Sequence, residues 1–292
     1  MKQSAPAVVI GDALIDEMRD EAGSVDAPGG SALNVAVGLT TLETPAILIA
    51  MIGTDRDGTV LDSYLGEHGI PVLASPTARG TGRAISDRTN GEPTYSFNAA
   101  AIARKIAFSP DVLHAIEAAP LVAISGFPFD DADQFEQLSR AVGGARVAVD
   151  ANPRSGLVSD TKRFGENLLA FASGCELVKI GEDDAQLLYG ESAETVAGRF
   201  VRAGAEAVVA THGSGGATVY LSDRVVHRPI AHLDGEPVDM MGAGDATFAT
   251  VLAELVRRDF STDETVWQGI LDHAMVVAAM TIRAPGGSLR LA

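Results

Sequence analysis

Short apolar runs recur along the chain, most of them stopping on a glycine or a polar residue: AVVIG at 7–11, AILIAMIG at 46–53, LVAISG at 121–126, RVAVDAN at 146–152, LVKIG at 177–181 and AVVATHG at 207–213. Runs of this kind read as strands buried on both faces, as in a mostly parallel sheet. Between them lie stretches of helical character at 31–42, 57–68, 132–142, 182–189, 192–203 and 246–258. Such alternation predicts an α/β fold with a doubly wound, mostly parallel central sheet flanked by helices. Ligands of these sheets bind beyond the carboxyl ends of the strands, so the polar residues closing each run are where chemistry should gather.

Two segments break the alternation, 12–26 and 79–99, and the second carries the turn signal Asn90-Gly91 between β-prone flanks. They could pair as a small β-sheet covering one edge of the core, a lid inserted in one domain spanning 1–292, or the second could be an ordinary exposed hairpin. With 46% apolar and 21% charged residues, a chain of this length can bury a sizeable core. Its 22 basic against 39 acidic residues give a formal charge of −17, which repels nucleic-acid backbones and anionic membranes. Any phosphate site must therefore be local. The apolar tracts at 46–52 and 274–282 fall well short of the ~20 residues that span a bilayer. The beginning of the chain shows no secretory pattern, and the lone Cys175 forms no intrachain disulfide, so a cytoplasmic protein is expected.

One stretch invites a chemical reading: DMMGAGDATF at 239–248. If a helix starts near Asp245, then Gly242, Ala243 and Gly244 offer free backbone N–H groups at its positive end with little side-chain bulk in the way. Asp245 could accept a proton from an alcohol while those amides stabilise charge on a transferred phosphoryl group. A Gly-rich turn with a capping aspartate is the plainer alternative. The chain has no Gly-Lys dipeptide, which excludes a Walker loop, and it lacks His-Glu-x-x-His and Gly-x-Ser-x-Gly patterns. No Gly-x-Gly-x-x-Gly follows the first strand, which argues against a dinucleotide-binding oxidoreductase. None of the six histidines has ligand-like spacing.

PGGSALNVAVGLTTL at 28–42 and DMMGAGDATF at 239–248, in this order, resemble the two signatures of the ribokinase (PfkB) family of carbohydrate kinases. VIGDALID at 9–16, MIGTDRDG at 51–58, DANPR at 150–154 and ATHGSGGA at 210–217 resemble further family blocks, so the likeness spans essentially the whole chain. It implies that Asp245 deprotonates a sugar hydroxyl for attack on the γ-phosphate of ATP, with Gly242, Ala243 and Gly244 as the anion hole. It places Gly29, Gly30, Asn34 and Asp16 on the sugar, with Asp12 as a second acidic candidate. Arg154 of DANPR could fork onto a carboxylate or phosphate, and Arg88, Tyr95 and Phe97 are lid candidates for substrate contact.

On the nucleotide side the resemblance assigns Thr211, Gly213 and Gly216 to ATP. Lys179 and Asp184 belong to the block where relatives carry Asn-x-x-Glu; here Gly181 replaces the asparagine and Asp184 the glutamate. Asp184 keeps a hard oxygen suited to Mg²⁺ through water. Methionines 240 and 241 stand where relatives have threonines, beside Asp239, a candidate for a monovalent cation such as K⁺. The blocks taken together look most like the fructokinase branch. The alternatives are 2-keto-3-deoxygluconate kinase, then ribokinase or nucleoside kinase, and, from a different class, a non-catalytic sugar or nucleotide sensor. Homodimerisation through the lid is compatible with the resemblance.

Overall fold

A computed structural model of the chain describes residues 5–21, 23–87, 94–258, 260–284 and 286–291. Its strands are β1 (Ala7–Gly11), β2 (Leu14–Asp20), β3 (Gly23–Gly29), β4 (Ala46–Met51), β5 (Val72–Ser75), β6 (Gly82–Asp87), β7 (Thr94–Phe97), β8 (Val122–Ser125), β9 (Val147–Asp150), β10 (Leu177–Gly181), β11 (Ala207–Thr211), β12 (Ala217–Tyr220) and β13 (Val225–Arg228). Nine of them form the central sheet in the order β13-β12-β11-β10-β9-β8-β1-β4-β5. From β11 to β5 every pairing is parallel, while β12 and β13 add an antiparallel margin. The predicted doubly wound architecture is what the chain adopts.

The sheet is buried on both faces because its strands place apolar groups on both. In β1, Ala7 and Val9 enter one core and Val8 and Ile10 the other; in β11, Ala207 and Val209 part from Val208 and Ala210 in the same way. The first core lies under the helices Ser31–Thr41, Ala243–Arg257 and Glu264–Thr281. The second lies under Pro110–Ala118, Ala132–Ala141, Thr161–Ala172 and Ala193–Ala203. The helices Ser31–Thr41 and Ala243–Arg257 pack on each other and are buried on nearly all sides. Their composition allows this: both are rich in Ala, Val and Leu and carry few charges.

The chain reverses direction across the sheet at β1, which pairs with β4 on one side and β8 on the other. A crevice opens at such a point beyond the carboxyl ends of the strands. Here it receives Asp12 after β1, Ser125 of β8 and Asp150 of β9, together with the N-termini of both buried helices.

A second sheet of four strands, β3-β2-β6-β7, stands apart from the first. It is built from the two segments that broke the sequence alternation, and β3 runs on to Gly29 because its register with β2 holds to the Leu14–Gly29 pair. Arg83 fastens it to the core. Its guanidinium forks onto Asp57 in the first turn of the helix Arg56–Glu67, at 2.5 and 2.9 Å, and also reaches Glu17 at 2.9 Å and Asp26 at 2.8 Å. Registered neighbours share a face of a sheet. Ala27, Asp16, Ala84 and Phe97 therefore form one row, and Val25, Met18, Ser86 and Tyr95 the next row on that face.

Candidate active site

Asp245 is the centre of a hydrogen-bonded cluster assembled from four distant parts of the chain. It is only 7% exposed. Oδ1 accepts from Ser31 Oγ at 2.7 Å and from Asn152 Nδ2 at 3.3 Å, and Oδ2 accepts from Asn34 Nδ2 at 2.9 Å. Ser31 Oγ lies 2.5 Å from Ser125 Oγ and accepts from Asn152 Nδ2 at 2.8 Å. Burial raises the carboxyl's pKa, opposed by the bonds from Ser31 and Asn34 and by the charges of Arg154 and Lys179. The result is a carboxylate fixed in direction and made more basic than one in water.

The helix carrying it starts at Ala243, two residues before the sequence reading set it, with Gly242 as N-cap in the left-handed conformation at φ 80°. A Cβ at Gly242 would also run into the carbonyl of Gly287, so both the turn and the close approach demand glycine. Among the described residues no side chain caps this helix. Its first amides therefore face the crevice beside Asp245.

On the acceptor side, Asp12 Oδ1 accepts from Ala32 N at 3.1 Å and so occupies the N-terminus of the helix Ser31–Thr41, whose N-cap is Gly30. Asp16 projects toward Asp12 and Asp245 and lies against Gly29. Its pKa is pushed up to about 7, first by burial and then by those two carboxylates, with Arg154 opposing. Asp12 is raised by burial against the pull of Arg104, whose Nε donates to Gly126 O at 3.1 Å. Arg154 is exposed at the rim of this group, and the ring of Phe97 packs on the adjoining turn at Gly156. Tyr95, 58% exposed, sits one row farther out. Arg88 lies outside the described residues.

The other side of Asp245 is a cavity of about 380 Å³, within the usual size of small-molecule sites. Thr211, Gly213 and Gly216 form one wall, Met240, Ala243 and Gly244 another, and Met275 and Ala278 of the helix Glu264–Thr281 close it. No Phe, Tyr or Trp lines it. Arg283 shapes its rim by donating to the carbonyls of Leu233, Asp234 and Gly235. Asp239 ties the methionine loop to the end of the chain, Oδ1 accepting from Met241 N at 3.0 Å and Oδ2 from Gly286 N at 3.2 Å.

Beneath the anion pocket, Lys179 does not line this cavity. It is buried and donates to Asp150 Oδ2 at 2.7 Å. Asp150 is pushed up to about 6 by burial, against the attraction of Lys179, and Oδ1 of the same carboxylate is buried with no hydrogen-bond partner. Asp184 is also buried and uses Oδ2 to accept from Gly181 N at 2.9 Å. An orphaned acidic oxygen beside a second carboxylate suits a hydrated divalent cation such as Mg²⁺.

The model of the pfkB family of carbohydrate kinases matches residues 7–291. This chain belongs to that family. It is a phosphotransferase with a sugar hydroxyl as acceptor. A fructokinase of Rhizobium leguminosarum bv. trifolii is 30% identical over 268 residues, covering 88% of this chain and 81% of the relative. A fructokinase of Escherichia coli is 27% identical, covering 99% and 96%. Among solved structures, a fructokinase of Xylella fastidiosa with bound ATP superposes with a TM-score of 0.84 at 21% identity, over 97% of this chain and 94% of the other. A ribokinase of Thermotoga maritima gives 0.76 at 17% identity, over 97% and 94%. The carbohydrate-kinase fold and class read from the two signatures are thus both established.

Of the residues singled out in the sequence, the structure brings Asp245, Asn34, Asp16, Asp12 and Gly29 near one another. Sequence reasoning missed Ser31, which donates to Asp245, and Ser125, whose hydroxyl bonds that of Ser31. Ser125 was readable in part, since it is the polar residue ending the run LVAIS. Asn34 was assigned to sugar hydroxyls; one N–H of its amide is given to Asp245, while Oδ1 is a buried acceptor without a partner.

Proposed function

We propose that this carbohydrate kinase transfers the γ-phosphoryl group of ATP to a hydroxyl of a small neutral sugar, with fructose the first candidate. The observation that carries the reading is the position of Asp245, between a crevice lined by carboxylates and a cavity of nucleotide size, at an uncapped helix N-terminus. Asp12, Asp16 and Asn34 Oδ1 are acceptors for sugar hydroxyls. Asp245, aimed by Ser31, Asn34 and Asn152, takes the proton as the sugar oxygen attacks phosphorus. The bond to the ADP oxygen breaks in line, and the amides at Gly242–Gly244 stabilise the charge on the group in transit.

Thr211, Gly213 and Gly216 would lie along the nucleotide. Asp184 and Asp150 Oδ1 would hold Mg²⁺, which neutralises charge on the phosphate oxygens when bound. Asp239 and nearby backbone carbonyls are assigned to a monovalent cation such as K⁺. In this reading the second sheet is the lid: its row Asp16, Ala84 and Phe97 closes over the sugar and excludes water, a competing acceptor. The exposed Val25 and Tyr95 on that sheet would serve a homodimer, and a pathway using ATP and a free thiol belongs in the cytoplasm.

The relatives named fructokinase support fructose. Arg154 favours a second reading, a sugar acid, but it faces Asp12, Asp16 and Asp245, which would repel a carboxylate. The test is ADP release with ATP and Mg²⁺ over fructose, 2-keto-3-deoxygluconate, ribose and a nucleoside. Turnover on fructose is expected. Turnover only on the acid would replace it with the second reading, and ligand-dependent thermal stabilisation with no ADP release would make the protein a sensor.

A further inference from the structure

We infer that Lys179 is the electrostatic backing of the anion pocket, a positioning residue whose ammonium group acts on the phosphoryl group in transit through Gly244 and Asp150. The inference rests on the kinase reading above and adds a charge that reading does not use.

The lysine interrupts an apolar strand. On β10, Leu177 belongs to the core under the helix Ala243–Arg257, whereas Val178 and Ile180 face the opposite core, so period-2 alternation puts Lys179 on the side of that helix. It is 5% exposed. Its strand register sets it beside Asp150, the ion-pair partner on β9. Above it is Gly244, where an added Cβ would lie 3.2 Å from Nζ and 3.6 Å from Cε. A Cβ there would crowd the ammonium group by a few tenths of an ångström, so glycine lets the helix start approach it most closely.

A helix N-terminus and a buried ammonium are both positive, and in direct contact they repel. Burial also works against the charge on Lys179, and the ion pair with Asp150 Oδ2 at 2.7 Å offsets it. An ion pair this deep is weak evidence for stability, since apolar residues of similar volume do as well or better. Two positive groups stacked at one point become mutually supportive only when an anion sits before them. A phosphoryl group passing Gly242–Gly244 is such an anion.

The test uses Lys179→Gln, which keeps a donor toward Asp150 without the charge, and Lys179→Met, in which Asp150 can take up a proton rather than stand as a stranded charge. Melting curves first establish that each variant folds. At saturating ATP, Mg²⁺ and sugar, kcat is expected to fall ~10²-fold with the sugar KM unchanged, the scale of removing one preorganised group from a charge-stabilising site. Affinity for ADP with aluminium fluoride and sugar should fall in parallel, and affinity for ADP alone should not. On the wild-type enzyme, the ¹⁵N signal of Lys179 Nζ should shift when ADP–aluminium fluoride binds and stay in place with ADP, a measurement independent of whether the variants fold.

A folded variant with wild-type kcat, or an unmoved Nζ signal, would overturn the inference. So would activity restored by raising Mg²⁺, which would reduce the lysine to holding Asp150 for the metal. Absence of turnover in the wild-type protein on every acceptor would instead remove the kinase reading itself.

Discussion

The two buried helices Ser31–Thr41 and Ala243–Arg257 run side by side and open into the same crevice, yet their N-termini are treated differently. The first is closed by its own chain: Asp12 Oδ1 accepts from Ala32 N, and the Asp12 carbonyl accepts from Leu33 N at 3.2 Å. The second begins at a left-handed glycine, has no side-chain cap, and carries in its first turn a carboxylate that bonds across to Ser31 and Asn34 instead of to its own amides. A helix end without a cap ordinarily costs about 1 kcal/mol relative to a capped one. In the proposed reading that cost is left in place at one of two adjacent ends because the open one receives an external anion, while the filled one is scaffolding for the acceptor side.

The contrast can be broken most severely at the open end. Asp245→Asn keeps the shape of the side chain and its place between Ser31 and Asn34 but removes the base, and kcat is expected to fall at least ~10²-fold in an ADP-release assay. A folded variant with near-normal turnover would remove proton acceptance by Asp245 from the mechanism. Gly242→Ala is the next largest: a Cβ at φ 80° meets the Gly287 carbonyl, and strain of this kind costs roughly 1–3 kcal/mol. Melting temperature and kcat should drop together, because the same turn sets the fold of the helix start and the aim of its amides.

How far these two ends could be read beforehand differs for a physical reason. The open end was legible because its requirements are local: glycines for bare amides, an aspartate in the first turn, and an apolar helix after them, all within ten consecutive residues. The closed end was not, because Asp12 and Ala32 meet only once β1 and its following helix have packed. Ser31 and Ser125, ninety-four positions apart, are partners for the same kind of reason. The central sheet was legible at β1, β4, β8, β9, β10 and β11, where uninterrupted apolar runs leave few alternatives, but not at β5, a short parallel edge strand of four residues. The helix Thr161–Ala172 was passed over: Lys162, Arg163, Glu166 and Asn167 make its first half mostly polar, and the apolar residues other than Phe164 gather in its last turns, from Leu168 to Ala172.

The filled end supplies a smaller test. Asp12→Ala strips the carboxylate from Ala32 N and should cost roughly 0.5–2 kcal/mol, the ordinary value of a lost cap, measured by denaturant unfolding. If it costs nothing while sugar KM rises, Asp12 acts only on the acceptor, and the comparison between the two helix ends loses its structural half.

The smallest effect expected is also the most specific, because it depends on pH. Asp16 has its pKa raised from 3.8 to about 7 by burial and by Asp12 and Asp245, so the folded state binds its proton more tightly than the unfolded chain does. The sign follows from linkage: the contribution of Asp16 to stability is fully present below the unfolded value and is lost as pH rises through about 7. Wild-type enzyme should therefore lose stability relative to Asp16→Asn between pH 5 and pH 8. Over the same window the ionised carboxylate becomes available to accept hydroxyl protons, so sugar KM should fall as pH rises in the wild type and stay flat in the variant. The two trends oppose each other, as they must if one group is held uncomfortably in the crevice in order to meet a sugar there. A KM profile that is equally steep in Asp16→Asn would transfer the titration to Asp12 or Asp245 and move acceptor recognition from the second sheet back to the central one.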